Sequence, residues 1–303
     1  MAAAQTERER RLLVILARLF PLFERMGIHV TRNHFYEPVP DLRSLGDEIF
    51  RRDSELRGVD MREDEQLQLL EQVAEFETEY GDFPAERPND DPTRYFVRNG
   101  QFGRVDAEVL HALVRLRKPQ RIFEIGAGYS TLVTAGAIRL NRAEDPAYSC
   151  ELTSIDPYPP QFLRSLPELT RLLEQRVQEV PVEAFTDLAA GDMLFVDSSH
   201  VLKIGSDVQF EFLELLPRMA EGVWIHVHDI FFPTDYPRPL VMEWHRFWNE
   251  QYLLQAFLAF NSAFAVRWCG SWMAHRHRSQ IREAFPSFDL GGMWPSSFWM
   301  ERT

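Results

Sequence analysis

Four acidic side chains in the middle of the chain each lie at the end of a short apolar run. They are Glu124, Asp156, Asp197 and Asp229. Carboxylates are unfavourable inside a parallel sheet that is buried on both faces, so we expect them at its open edge. His200, His226 and His228 lie close in sequence to the last two acids. Carboxylates and imidazoles together could transfer protons or bind a metal ion.

A glycine turn, Gly126-Ala127-Gly128, follows the first acid almost directly. The run from Arg121 to Ile125 is typical of a strand, and Ser130 is expected to cap a helix that contains Leu132 to Leu140. A strand, a glycine turn and a helix in this order direct backbone N–H groups to the sheet edge. Gly-x-Gly alone also fits an ordinary turn between a strand and a helix.

The second acid, Asp156, lies 28 residues after Gly128, which places it on the tip of the neighbouring strand. An acidic side chain at that tip can accept hydrogen bonds from both hydroxyls of a ribose. A single acid at a strand end is more often a turn residue. Because four such acids occur in order, the pattern favours a nucleotide-like ligand.

Apolar runs alternate with helical patterns over this region and predict five parallel strands joined by right-handed crossovers. The predicted strands are residues 121–125, 151–156, 172–177, 193–197 and 222–229. Ligands are expected beyond the carboxyl ends of these strands. A helix is predicted from Ser206 to Met219, and Asp106 could cap another helix from Ala107 to Leu116.

The chain before the sheet reads as an accessory region. Thr6 to Met26 and Gln66 to Tyr80 have helical periodicity, and a proline-containing acidic stretch, residues 81–93, follows them. We therefore divide the chain into an N-terminal helical cap, residues 1–94, and an α/β domain, residues 95–303.

Composition excludes several classes of function. The 303 residues carry a formal net charge of −13, which argues against a nucleic-acid backbone or an anionic membrane surface as the main partner. The 2 cysteines are too few for a disulfide framework, and no apolar run has a membrane-spanning length of about 20 residues. The expected location is the cytoplasm.

Glu124, Gly126, Gly128, Asp156 and the run from Val196 to His200 together resemble class I S-adenosylmethionine-dependent methyltransferases. The third glycine of the dehydrogenase fingerprint is absent. Near the end, Phe264 to Trp268 and Ser297 to Arg302 resemble the antiparallel hairpin that closes this fold, with a predicted loop from Ala284 to Pro295 between them. The resemblance implies an α/β, Rossmann-like seven-stranded sheet of order 3-2-1-4-5-7-6. The longer pattern is similar to a bacterial group of small-molecule methyltransferases.

The resemblance also implies roles for individual residues. Gly126 and Gly128 would pass under the methionine part of S-adenosylmethionine, with Glu124 near its amino group, while Asp156 would hold the ribose. The further cofactor-binding residues that we predict are Ser130, Asn99 and Asp197. The adenine is expected near residues 177–179.

In metal-dependent O-methyltransferases, an acid after the fourth strand and an acidic pair after the fifth bind a divalent cation. Asp197 and Asp229 match two of these places, and His228 stands in the third. The predicted metal ligands are therefore Asp197, His228 and Asp229. Imidazole suits transition metals better than magnesium, so His228 favours a transition metal. Magnesium is kept as the alternative ion. Asp197, His200 and His228 are the predicted catalytic residues.

The leading hypothesis is an O-methyltransferase that acts on a small molecule, with or without a metal ion. The N-terminal helices and the segment from His34 to Asp41 would cover its pocket. Aromatic residues after the fifth strand, among them Trp248 and Tyr252, would then line a pocket for a flat or apolar acceptor. Two alternatives keep the same fold, namely an iron-dependent oxygenase and a binding protein that transfers no methyl group. The expected partner is a small-molecule acceptor, and a homo-oligomer is left open.

Overall fold

The computed structural model describes residues 7–89, 91–290 and 294–303, and the chain forms two compact units, Met1–Ile49 and Phe50–Thr303. The units divide at a different position from the boundary predicted at residues 94 and 95. Helices α2 (Glu63–Ala74) and α3 (Glu77–Tyr80) fall within the second unit, where α2 packs against elements of the α/β region.

The first unit contains one long helix, α1 (Glu7–Arg25), which continues through Pro21. A 3-10 turn, Leu42–Ser44, follows, and the Asp41 side chain caps it by accepting a hydrogen bond from the Arg43 N–H. The segment from His34 to Asp41, predicted to cover the pocket, therefore lies in this unit, and its proposed role stays a prediction.

The second unit is built on one mixed sheet of seven strands in the order β3-β2-β1-β4-β5-β7-β6, which confirms the predicted fold class. The strands are β1 (Arg121–Ile125), β2 (Glu151–Ile155), β3 (Leu169–Leu173), β4 (Met193–Val196), β5 (Trp224–Val227), β6 (Phe264–Cys269) and β7 (Phe298–Arg302). Strands β1 to β5 are parallel, and β7 pairs antiparallel with both β5 and β6.

The register of the parallel strands aligns their carboxyl ends. Ile125 pairs with Ile155 on one side and with Val196 on the other, and Val196 pairs with Val227. The residues that follow these four, including Asp156 and Asp197, therefore emerge along one edge. This alignment gathers side chains that are more than a hundred residues apart.

The remaining helices pack around the sheet. They are α4 (Asp106–Arg117), α5 (Tyr129–Glu144), α6 (Asp207–Phe210), α7 (Arg238–Met242), α8 (Glu250–Leu258), α9 (Gly270–Arg276) and α10 (Arg278–Ala284). The helix predicted from Ser206 to Met219 starts as α6, widens into a π-helical turn at Glu211–Leu215 and ends in a 3-10 turn. Among the described residues, no helix has the length and apolar character to cross a membrane.

Two local predictions were wrong. The third strand is Leu169–Leu173, so it ends within the predicted range 172–177, and a 3-10 turn follows at Val177–Glu179. Ser130 does not cap its helix, because α5 already begins at Tyr129 after Gly128. The loop predicted from Ala284 to Pro295 includes residues 291–293, which lie outside the described residues.

Candidate functional site

The glycine turn brings the tips of three neighbouring strands together. The Gly126 N–H donates a hydrogen bond to the carbonyl oxygen of Ile155 over 2.9 Å. Gly126 has a φ of +84°, and a Cβ placed there would lie 1.8 Å from the carbonyl oxygen of Asp197. Only glycine fits a backbone that approaches so closely in the left-handed region.

Gly128 has a different role in the same turn. Its backbone is extended, with a φ of −174°, and a Cβ placed on it would have no heavy atom within 4 Å. The chain could therefore accept a larger residue without strain. What the glycine leaves is open space against the backbone, which fits the approach of a ligand over the turn.

Glu124 lies beneath this turn, with only 1% of its surface exposed. Its carboxylate accepts hydrogen bonds from the hydroxyl groups of Ser130, Thr131 and Ser154 over 2.6–2.7 Å. The Thr131 hydroxyl oxygen in turn accepts the Gly128 N–H over 3.0 Å. The structure thus connects Glu124 and Ser130 to each other and to the glycine turn, and both side chains support the turn from below.

Burial raises the pKa of Glu124 to about 7 although three hydroxyl groups donate to it. Because the folded state then holds a proton that the unfolded state releases near its ordinary pKa of 4.5, stability should fall as the pH rises from 4.5 to 7 and level off above. We expect Glu124→Gln to remove this dependence, which amounts to at most about 3 kcal/mol. Chemical denaturation at pH 5 and pH 8 measures the free energy of unfolding of the wild-type and Glu124→Gln proteins. The expectation would be contradicted if the change in that free energy between the two pH values were the same in both proteins.

Asp156 stands at the tip of β2, beside the turn. One carboxylate oxygen accepts the Ala127 N–H over 3.1 Å, and the other accepts the Tyr158 N–H over 2.6 Å. Each carboxylate oxygen has two acceptor positions. Asp156 is therefore fixed in orientation and still has one acceptor position on each oxygen for a ligand.

A cavity of about 590 Å³ opens at this edge of the sheet. Gly126, Asp156 and Asp197 line it from the strand ends, and Val177 and Gln178 line it near the predicted adenine position. The amide nitrogen of Gln178 donates to the Gly205 carbonyl, while its buried amide oxygen has no hydrogen-bond partner among the described residues. The volume lies within the range of about 300–1,000 Å³ that is usual for small-molecule sites.

Two predicted residues lie elsewhere. The Asn99 side chain is occupied by its own loop, since it donates to the carbonyls of Phe96 and Phe102 and accepts two backbone N–H groups. Asp106 does not act as a helix cap, because it is buried and accepts the N–H groups of Ser296 and Ser297. Asn99 thus has no acceptor or donor directed into the cavity, and Asp106 fixes the entry to β7.

Beyond the cavity, the acids after β4 and β5 meet a histidine. The Nε2 atom of His200 lies 3.3 Å from an oxygen of Asp197 and 3.4 Å from an oxygen of Asp229. Among the described residues these three form the one group of acids, histidines or cysteines whose ligand atoms lie within 4.8 Å of one another. The structure therefore brings His200 to the two predicted acids, where the sequence had indicated His228.

The distances in this cluster fit a shared cation. Ligand atoms bound at about 2.0–2.2 Å to one tetrahedral ion lie roughly 3.3 Å apart. His200 and Asp229 are both in the left-handed region, with φ values of +60° and +56°. Such backbone angles are rare outside glycine and concentrate at functional sites. The donor set of two carboxylates and one imidazole suits a first-row divalent ion such as Mn²⁺ or Zn²⁺.

The same cluster can hold a proton. Burial alone would lower the pKa of His200, but the hydrogen bonds with Asp197 and Glu250 raise it well above its ordinary value. Burial would likewise raise the pKa of Asp197, yet the positive charges of His228 and His200 lower it. The edge of the sheet therefore carries concentrated negative charge that a cation, either an imidazolium or a metal ion, must balance.

His228 is buried beside His226 and lies behind the acids that His200 contacts. Its Nδ1 atom is 3.3 Å from Nε2 of His226, and its Nε2 atom is 3.9 Å from Asp229. Burial would lower its pKa, but the carboxylates of Asp197, Asp229 and Asp106 raise it. Burial together with the neighbouring His228 lowers the pKa of His226 well below its ordinary value. His228 thus stands behind the acids as a charge partner and away from the cavity.

Sequence reasoning missed Glu250 and Ser296, which contact this cluster, whereas it did place Trp248 beside the acceptor pocket. An oxygen of Glu250, at the start of α8, lies 2.9 Å from Nδ1 of His200, and the Trp248 ring lies 4.5 Å from the imidazole ring. The Ser296 hydroxyl lies 3.2 Å from an oxygen of Asp229. Because Glu250 is a single acid with no local motif, only its position in the fold identifies it.

Comparison with known proteins gives an independent assignment. A family model described as a methyltransferase domain matches residues 123–230, a range that includes the glycine turn, Asp156 and all three cluster residues. A relative from Archaeoglobus fulgidus, described as an uncharacterized protein, is 32% identical over 165 residues, which cover 51% of this chain and 72% of the relative.

Two solved structures are also similar. An O-methyltransferase from Bacillus cereus in complex with SAH has a TM-score of 0.39 at 11% identity, with 78% of this chain and 91% of that chain covered. The apo structure of CalS11, a TDP-rhamnose 3′-O-methyltransferase of calicheamicin biosynthesis, has a TM-score of 0.43 at 16% identity, with 86% and 98% covered.

The strand order, the acid and Gly-x-Gly turn at the end of β1, and the matched methyltransferase domain agree with one another. The cavity beside Asp156 and the open space over Gly128 fit a nucleoside-type cofactor. The chain belongs to the class I S-adenosylmethionine-dependent methyltransferases.

Proposed function

We propose that this methyltransferase acts on an oxygen atom of a small, flat acceptor, and that a divalent cation held by Asp197, His200 and Asp229 assists the transfer. One observation carries the proposal. Asp197 lines the cofactor cavity and also lies 3.3 Å from His200 in the cluster. A methyl donor in the cavity and an acceptor oxygen at the cluster would therefore be neighbours.

S-adenosylmethionine, when bound, supplies a methyl group that is already activated on a sulfonium. The protein then has to bind it, align the acceptor and help to remove the acceptor proton. Asp156 would accept the ribose hydroxyls through its free acceptor positions, and Gly128 would leave room for the chain of the methionine part. Glu124 would keep the turn in shape from below through its hydrogen bond with Thr131.

The cluster of Asp197, His200 and Asp229 would activate the acceptor. A divalent cation there would polarise an acceptor hydroxyl and lower its pKa. Asp197, His200 and Asp229 would hold that ion, while the positive charge of His228 behind them limits the total negative charge. This assignment replaces His228 of the predicted ligand set with His200.

Aromatic rings beside the cluster support a flat acceptor. The ring of Trp248 lies against His200, and Tyr236 meets Trp248 edge-on with 5.9 Å between ring centroids. Aromatic faces pack favourably against planar ligands, with about 0.5–1.5 kcal/mol per ring pair. The acceptor that we propose is therefore a planar molecule with a hydroxyl group.

Asp156→Ala should weaken the binding of S-adenosylhomocysteine by roughly 10²-fold or more, because two ribose hydroxyls would lose a charged acceptor. Calorimetric titration of the purified protein measures this. The exposed Glu214, which pairs with Arg218 on the protein surface, offers a control, since Glu214→Ala should bind like wild type. A wild-type protein that is folded and shows no binding would overturn the cofactor assignment.

A further inference from the structure

The start of helix α8 connects the two loops that carry the cluster. On one side, the N–H groups of Asn249 and Glu250 both donate to the carbonyl oxygen of His200, over 3.0 and 3.3 Å. On the other side, the Gln251 amide oxygen accepts the Phe231 N–H over 2.6 Å. Phe231 follows Asp229 by two residues, so one helical turn fixes the backbone of both loops.

Asn249 strengthens the contact to the first loop. Its side-chain oxygen accepts the Leu202 N–H over 2.6 Å. Hydrogen bonds at His200 and Leu202 therefore hold the loop on both sides of Val201. Such a backbone frame can maintain the left-handed conformation of His200, which would be unfavourable in a free loop.

Glu250 adds a contact to the imidazole itself. It is buried, with 1% of its surface exposed, and one of its oxygens lies 2.9 Å from Nδ1 of His200. When Glu250 is ionised, its carboxylate can only accept hydrogen bonds, and the contact then places a proton on Nδ1. With that proton in place, the lone pair of a neutral His200 lies on Nε2, the atom that faces Asp197 and Asp229.

We infer that Glu250 is a positioning residue, which fixes the ring orientation and the tautomer of His200 so that Nε2 can bind a divalent cation together with Asp197 and Asp229. The inference rests on the proposed function, since it assumes the cation site. A carboxylate behind a metal-binding histidine is expected to matter, because such outer partners typically contribute 10–100-fold to metal affinity. Neither the composition of the helix start nor its sequence spacing indicates this role.

Co²⁺ titration of the 303-residue chain tests the inference, because visible absorption reports both the affinity and the ligands of the ion. We expect Glu250→Ala to weaken Co²⁺ binding by about 10–100-fold and to change the absorption bands. Glu250→Gln should recover most of the affinity, because the amide oxygen can still accept the Nδ1 proton. In Zn²⁺-loaded wild-type protein, ¹⁵N chemical shifts should show His200 protonated on Nδ1.

Glu211 provides a matched control. It is a fully buried glutamate near the cluster, and its carboxyl group accepts a hydrogen bond from the Ser198 hydroxyl over 3.0 Å. Burial together with the neighbouring Glu250 raises its pKa well above the ordinary value. Glu211→Gln, which resembles the protonated acid, should therefore bind Co²⁺ like wild type. A loss of Co²⁺ affinity in Glu211→Gln as large as that in Glu250→Ala would attribute the effect to a buried charge and overturn the inference.

Two further outcomes separate this inference from the proposals on which it rests. If wild-type protein and Glu250→Ala bind Co²⁺ with equal affinity and equal spectra, the positioning role is wrong while the cation site stands. If the wild-type protein binds S-adenosylhomocysteine but no Co²⁺, the cation site and the positioning role both fall, and the cofactor assignment stands. Should Glu250→Ala not fold, the ¹⁵N shifts of the Zn²⁺-loaded wild-type protein still decide, because a proton on Nε2 of His200 in that form would contradict the inference.

Discussion

Gly126→Ala is expected to lower the free energy of unfolding by about 3–5 kcal/mol and to abolish measurable binding of S-adenosylhomocysteine. A left-handed backbone angle is unfavourable for alanine by roughly 1–2 kcal/mol. The methyl group would also meet the carbonyl oxygen of Asp197 at 1.8 Å, and a backbone atom cannot turn aside as a side chain can. The tips of β1 and β4 would have to separate, and the cavity between them would change shape.

The other glycine of the turn gives the matched control. At Gly128 the backbone is extended and an added Cβ has open space around it, so Gly128→Ala should fold with nearly wild-type stability. If the open space accommodates the cofactor, binding should nevertheless weaken by about tenfold or more, since 1.4 kcal/mol of lost contact corresponds to that factor. Chemical denaturation and calorimetry of both variants measure the contrast.

The opposite pattern would contradict the assignment. A stable Gly126→Ala protein would mean that β1 and β4 do not approach each other as closely as the structure has them. A Gly128→Ala protein that binds the cofactor like wild type would mean that the ligand does not pass over this part of the turn. The two variants therefore test the strand packing and the ligand position separately.

The sheet could be predicted from the sequence because its strands are local, apolar and strongly bounded. Arg121 to Ile125 is the strand that the pattern predicts, and the pairing of β7 between β5 and β6 follows the family order. The third strand was misplaced because β3, Leu169–Leu173, has no fully buried residue and no continuous apolar run. At an edge, backbone pairing rather than side-chain burial determines which residues form the strand.

The cluster was only partly predictable for a different reason. Strand register alone places Asp197 beside the row that contains Ile125 and Val196, so its position follows from the fold. His200 and Asp229 depend on left-handed backbone angles that sequence patterns do not indicate. The residue that fixes His200, Glu250, comes from a helix start 50 positions away. Such a contact depends on how one loop meets one helix, and neither composition nor periodicity encodes it.

Asp229→Asn should weaken the binding of a divalent ion by at least about 100-fold, because a charged ligand is lost outright and even an outer partner contributes 10–100-fold. This substitution tests the binding of the ion without disturbing the fold. Asparagine has nearly the same shape and adopts the left-handed region more readily than most residues, so the φ of +56° is not a new strain. The Ser296 hydroxyl can also still donate to the amide oxygen.

The cofactor provides the internal control for this last prediction. Asp229 is not among the residues that line the cavity of about 590 Å³, whereas Asp197 is. Asp229→Asn should therefore bind S-adenosylhomocysteine like wild type while it loses Co²⁺, and its stability should change by less than about 1 kcal/mol because its shape and backbone preference are retained. Equal Co²⁺ affinity in Asp229→Asn and wild type would remove Asp229 from the cation site. The three residues would then not hold the ion together, and a side chain rather than a bound cation would have to assist the removal of the acceptor proton.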